Sequence, residues 1–132
     1  MCPDTKALLA YVKLELFFAA ICYYIKINPK PITAMAKKIA EQLIDTLVKS
    51  GVERIYAVTG DSLNEVNEAV RKNDQIKWIH VRHEETGAYA AAAEAQLTGR
   101  PGCCAGSSGP GHVHLINGLY DAHRSGAPVI AI

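Results

Sequence analysis

The sequence predicts an α/β domain, a parallel sheet covered by helices on both faces in three layers. Three observations carry this. Beyond residue 35, short runs of strand formers alternate with helical apolar periods, the pattern of parallel strands joined by helical crossovers. Glycines close several of the helical periods, as at Gly51 and Gly99. The segments after the first three strands each open a helix, so three loops gather at one sheet edge, where parallel sheets bind ligands.

The elements follow in order. Ile39, Leu43, Ile44, Leu47 and Val48 fall on one helical face, and Gly51 supplies the stop. Arg54 to Thr59 is rich in strand formers. Ser62-Leu63-Asn64-Glu65 has the form of a capping box, in which hydroxyl and carboxylate each take a free backbone N–H. The helix it opens places Leu63, Val66 and Val70 inward and closes at Asn73-Asp74. Ile76 to Val81 is a second strand, and Glu84 to Leu97 an alanine-rich helix ended by Gly99. Gly102 to Ala105 is a short third strand. Pro110 suits the first turn of a helix running to about Arg124, with Val113, Ile116, Leu119 and Tyr120 expected inward. Pro128 to Ile132 reads as a fourth strand. A sheet of this type normally continues past such a point, so residues 35–132 are expected to be a partial domain, truncated after the fourth strand.

Residues 1–34 are unlike the rest. Leu16 to Ile25 is an unbroken apolar run of ten residues, half the roughly 20 a membrane span needs. Asp4 opposes Lys6, and no small-residue cleavage site follows as in a signal peptide. Asn28-Pro29-Lys30-Pro31 breaks any helix, and Met35-Ala36-Lys37-Lys38 reads as an ordinary start. Residues 1–34 are therefore expected to be an extension outside the fold, and membrane association is not expected. The alternative is a genuine packing or membrane-associating helix.

A net charge of +1 with 20% charged residues gives no field to attract nucleic acid. Of the cysteines Cys2, Cys22, Cys103 and Cys104, no pair has the spacing of a zinc knuckle or redox motif. Cys103 and Cys104 read as small buried side chains pointing to opposite faces of a strand. This usage suggests a reducing compartment, hence the cytoplasm.

The loop segments are Thr59-Gly60-Asp61-Ser62, Arg82-His83-Glu84-Glu85 and Gly106-Ser107-Ser108-Gly109-Pro110-Gly111. Neither G-x-G-x-x-G after the first strand nor a P-loop occurs, and the third segment reads G-x-x-G-x-G. Taken singly, each has a plain reading: a tight strand-to-helix turn, acidic residues at a helix N-terminus, a structural histidine. His112, His114, Asp121 and His123 suggest a metal only at first sight. His112 and His114 are two apart on a helix and do not share a face, so no metal site is expected there.

Together, Val58-Thr59-Gly60-Asp61-Ser62-Leu63-Asn64, Arg82-His83-Glu84-Glu85 with its alanine-rich helix, and Gly106-Ser107-Ser108-Gly109-Pro110-Gly111 followed by His114-Leu115-Ile116-Asn117-Gly118-Leu119-Tyr120-Asp121-Ala122 resemble the pyrimidine-binding domain of thiamine-diphosphate enzymes. The resemblance covers residues 36 to 132. It is nearest to pyruvate oxidases and quinone-dependent pyruvate dehydrogenases, and acetolactate synthases look similar around the histidine–glutamate pair and the Ser-Gly-Pro-Gly loop.

The resemblance implies roles. Glu84 corresponds to the acid that hydrogen-bonds N1′ of the aminopyrimidine and favours the tautomer that removes the thiazolium C2 proton, after which the cofactor attacks the keto carbon of pyruvate. That role asks for a carboxyl able to share a proton near neutral pH. Glu85 is expected to be a solvated or capping neighbour. Ser107, Gly109 and Gly111 fall where the family's loop approaches the aminopyrimidine, and Gly60 and Asp61 where the first loop lines the pocket from the substrate side. His83 and Asn117 are candidates for supporting contacts. Magnesium and FAD are implied as well, held by domains this sequence lacks, because the family's Gly-Asp-Gly diphosphate motif does not occur. A homo-oligomer, dimer or tetramer, is implied for the complete enzyme, with the cofactor between subunits. The resulting expectation is a fragment that supplies the activating glutamate and is inactive alone. A half-enzyme completed by another chain and a non-catalytic interaction module are the alternatives.

Overall fold

A computed structural model describes residues 36–132; the apolar run and the expected extension over 1–34 lie outside the described residues. The elements are α1 (Ile39–Lys49), β1 (Arg54–Ala57), a 3-10 turn (Asp61–Leu63), α2 (Asn64–Arg71), β2 (Lys77–His80), α3 (Glu84–Thr98), β3 (Gly102–Ala105), α4 (Pro110–Ser125) and β4 (Val129–Ala131). The strands form one sheet in the order β2-β1-β3-β4, and every pairing is parallel. The alternation in the sequence thus yields the expected α/β architecture. No helix among the described residues is long and apolar enough to cross a membrane.

Two apolar clusters occupy the two faces of the sheet. One joins Ile44 and Leu47 of α1, Val70 of α2 and Ile55, Ala57, Cys103 and Ala105 of the strands. The other joins Ala88 and Ala91 of α3, Leu115 of α4 and Cys104. Cys103 and Cys104 therefore face opposite sides of β3, as strand geometry requires. Both are free thiols, and burial pushes them up to about 12 and about 11 respectively, which keeps them protonated and inert.

The second face is built from small residues. In α3 the inward positions include Gly87, Ala88, Ala91, Ala92 and Ala95, and in α4 they are Gly111, Leu115, Gly118 and Ala122. A Cβ on Gly118 would stand 2.5 Å from the Ala88 Cβ, and one on Gly102 would stand 2.1 Å from the Ala91 carbonyl oxygen. At Gly118 and Gly102 the missing side chain is what lets α4 and β3 come this close to α3.

Three expectations are corrected. Val113, Ile116 and Tyr120 are 62%, 57% and 64% exposed, because the face of α4 that meets α3 is the glycine–alanine one. Ile39 is exposed at the outer end of α1, ahead of the turns that reach the core. The capping box does not form. The 3-10 turn intervenes, the Ser62 hydroxyl goes elsewhere, and Glu65 pairs with Lys38.

Candidate functional site

The loops after β1, β2 and β3 emerge at the same edge of the sheet, and side chains tie them together. Ser62 accepts a hydrogen bond from the Ser108 backbone N–H at 2.9 Å, and its hydroxyl lies 3.1 Å from that of Ser107. Gly60 sits against Ser107 so closely that a Cβ there would fall 2.5 Å from the Ser107 Cβ. Its φ of −158° is ordinary extended backbone, so packing and not strain is what calls for glycine. The first and third loops thus form one wall.

Glu84 is the first residue of α3 and is buried to 9% exposure, the only buried charged residue among those described. His114, in the second turn of α4, brings Nδ1 to 3.1 Å from Glu84 Oε2. The His83 and His114 rings stack with centroids 4.5 Å apart. Glu84 Oε1 faces Gly111, where a Cβ would stand 3.2 Å from it, so no side chain comes between that oxygen and the Gly111 backbone. Asn117 donates to Glu85 at 3.2 Å, and His83 Nδ1 accepts the Glu85 backbone N–H at 3.3 Å. His83 is therefore the N-cap of α3, and Glu85 bridges α3 to α4 instead of serving as a plain capping acid.

The remaining candidates separate by distance and burial. Gly109 has a φ of 82°, which favours glycine, and precedes α4 as its cap; no atom lies within 4 Å of where its Cβ would be. It shapes the turn and touches nothing closely. Asp61 is exposed at the start of the 3-10 turn and hydrogen-bonds no other side chain among the described residues. His112, Asp121 and His123 do not gather into a metal cluster among the described residues. A cavity of about 490 Å³, lined by Val70, Arg71, Ile76 and Trp78, lies towards the opposite end of the sheet between α2 and β2.

Ser62 and His114 are the members of this site that sequence reasoning missed as such. No local pattern pairs Ser62 with a loop more than forty residues away. His114 opens the run after the third loop that carries the family resemblance, but nothing local gives it a role beside Glu84.

Burial pushes the Glu84 carboxyl up. A backbone N–H, the His114 hydrogen bond and the electrostatic influence of the neighbouring His114 and His83 rings outweigh it and hold the group below its ordinary value of 4.5. Without cofactor the carboxyl is thus held on the acidic side of its ordinary value. A folded-state value below the unfolded one means that the stability it contributes is present above about pH 4.5 and is lost as pH falls through the folded value. Removing the imidazole in His114→Gln should therefore raise the Glu84 midpoint, followed by carboxyl carbon NMR across the acid range. An unchanged midpoint would mean that the contact contributes nothing in solution.

Residues 37–132 match the family described as thiamine pyrophosphate enzyme, N-terminal TPP binding domain. The chain belongs to this family. Among its relatives, the putative thiamine pyrophosphate-containing protein YdaP of Bacillus subtilis is 53% identical over 100 residues, covering 74% of this chain and 17% of that protein. The pyruvate oxidase of Lactiplantibacillus plantarum is 50% identical over 91 residues, 68% of this chain and 15% of the relative. The chloroplastic acetolactate synthase of Arabidopsis thaliana is 36% identical over 96 residues, 73% of this chain and 14% of the relative. The chain thus spans less than a fifth of the length of these relatives. Within the thiamine pyrophosphate enzyme domain, the match includes all three loops and both helices that carry Glu84 and His114.

Proposed function

We propose that this domain holds the aminopyrimidine of thiamine diphosphate in a pyruvate oxidase or pyruvate dehydrogenase, with Glu84 as the activating acid. The observation that carries the reading is the Glu84 carboxylate, buried at the start of α3, with one oxygen held by His114 and the other facing the glycine backbone of the third loop. A carboxylate can meet a ring nitrogen only where no side chain intervenes, and Gly111 places none on that side of Glu84. When bound, thiamine diphosphate supplies the nucleophile and electron sink that keto-acid decarboxylation needs.

The chain's own part is to orient and to move one proton. Glu84 holds a proton between its carboxylate and N1′ of the ring. Gly111 and Ser107 set the backbone against the ring face, Gly109 fixes the turn that aims them, and Gly60 and Asp61 line the substrate side. Covering the open side with cofactor and further domains adds desolvation, which moves a carboxyl upwards. That brings Glu84 from its present acidic value towards the range where it can share a proton. Magnesium, the diphosphate and FAD are assigned to segments beyond this sequence, in a homo-oligomer acting on pyruvate in the cytoplasm. Residues 1–132 alone are inactive in this account. The 50% identity to a pyruvate oxidase, against 36% to an acetolactate synthase, supports pyruvate oxidation over the alternative chemistry.

The test is a graft. Residues 36–132 replace the matching segment of the Lactiplantibacillus pyruvate oxidase, and pyruvate turnover is measured with thiamine diphosphate, magnesium and FAD. The graft is expected to turn over and the 132-residue chain is not. A folded, cofactor-loaded graft without turnover would overturn the reading, as would turnover by the chain alone that Glu84→Gln abolishes.

A further inference from the structure

We propose that His83, Glu84 and His114 form a binding site for a borderline divalent metal ion, zinc or copper(II). The inference rests on geometry alone and not on the cofactor reading. One donor atom from each residue lies within 4.8 Å of the others, and this is the only such trio among the described residues. It spans two helices: His83 caps α3, Glu84 begins it, and His114 reaches across from α4. Histidine spacing within α4 therefore does not reveal it.

The donor set fits one class of ion. Two imidazoles and a carboxylate suit zinc and copper(II), whereas magnesium seeks an octahedron of oxygens. Around an ion with bonds of about 2.0–2.2 Å, neighbouring donors stand roughly 3–3.5 Å apart. The His114 and Glu84 donors already stand 3.1 Å apart. His83, whose side chain is 47% exposed, has to rotate towards the ion, giving up its bond from the Glu85 N–H and its stacking on His114. Glu85 lies 3.9 Å from His83 Nδ1 and adds negative charge beside the site. Three protein donors leave a fourth position for water, as in open zinc sites. Binding displaces any proton held between His114 and Glu84, so metal uptake releases protons to the buffer. Because the ion takes the Glu84 carboxylate, it excludes any ligand that needs that group.

The experiment is calorimetric titration of the 132-residue chain with zinc chloride, with no thiamine compound present, paired with electron paramagnetic resonance of added copper(II). One ion per chain is expected, with nitrogen couplings in the copper spectrum and no displacement by magnesium. His83→Gln and His114→Gln should each weaken binding by at least the roughly 10–100-fold that loss of even an outer-shell partner costs. Both side chains are substantially exposed, so the fold should survive the changes. His112→Gln, on an exposed neighbour, should leave the affinity unaltered. The proposal is overturned if zinc fails to bind, or if His112→Gln weakens binding as much as His114→Gln. Either failure leaves the graft experiment untouched, and failure of the graft leaves this titration untouched.

Discussion

Gly118→Val is expected to cost a large share of the fold's stability. A Cβ at this position would meet the Ala88 Cβ at 2.5 Å, the Tyr89 backbone nitrogen at 2.9 Å and the Ala88 carbonyl carbon at 3.1 Å. Relaxed carbon contacts need about 3.5–4.0 Å. The neighbours are backbone and a methyl group, so no flexible side chain can swing away. Relief must come from moving α4 off α3, which opens the cluster of Ala88, Ala91, Cys104 and Leu115. Overpacking typically costs about 1–3 kcal/mol and occasionally more. A collision with backbone belongs at the upper end, a large share of the roughly 5–15 kcal/mol that holds a domain together. With a shift of about 4–8 °C per kcal/mol at this size, the melting temperature should fall by more than about 10 °C. Circular dichroism melts of the two proteins check this. A variant melting within about 2 °C of the parent would contradict the packing of α3 on α4.

The same contact joins fold to site. The distance between α3 and α4 lets His114 reach Glu84 across thirty residues of chain. A larger residue at 118 should therefore separate that pair as well as loosen the core.

Much of this was legible in the sequence. The alternation of strand runs and helical periods located every element of the sheet and its helices, with strand ends shifted by a residue or two. The three loops were placed on one edge because parallel strands all point the same way. The opposite directions of Cys103 and Cys104 followed from the period of a strand.

What escaped had physical causes. The inward face of α4 was sought among its bulkiest apolar residues, but close packing selected the smallest. The signal was present, since Gly111, Leu115, Gly118 and Ala122 fall at helical spacing. The Ser62 pattern was read as a local cap, while the nearby Ser108 N–H won the hydroxyl through a tertiary contact. His114 was weighed against other histidines of its own helix, whereas its partner belongs to another element. Burial by itself would raise the Glu84 carboxyl, and the backbone N–H and His114, contacts no sequence pattern displays, reverse the sign.

The most direct test of the central claim is exchange of the cofactor's C2 proton in the grafted enzyme, followed by NMR in deuterated buffer. Glu84→Gln and Glu85→Gln are compared with the parent. An amide at 84 can still hydrogen-bond N1′ but cannot trade a proton with it, so exchange should slow by roughly the 10²–10⁴-fold that a positioned acid or base contributes. Cofactor affinity should change far less, because in the proposed arrangement the diphosphate and magnesium are held outside this segment. Glu85 is the internal control. Its carboxylate accepts from Asn117, and losing one such bond costs about 0.5–1.5 kcal/mol of stability without touching the ring. Exchange should be slowed to this extent by Glu84→Gln and kept by Glu85→Gln. Exchange slowed by Glu85→Gln alone, or by neither change, would contradict the assignment of Glu84.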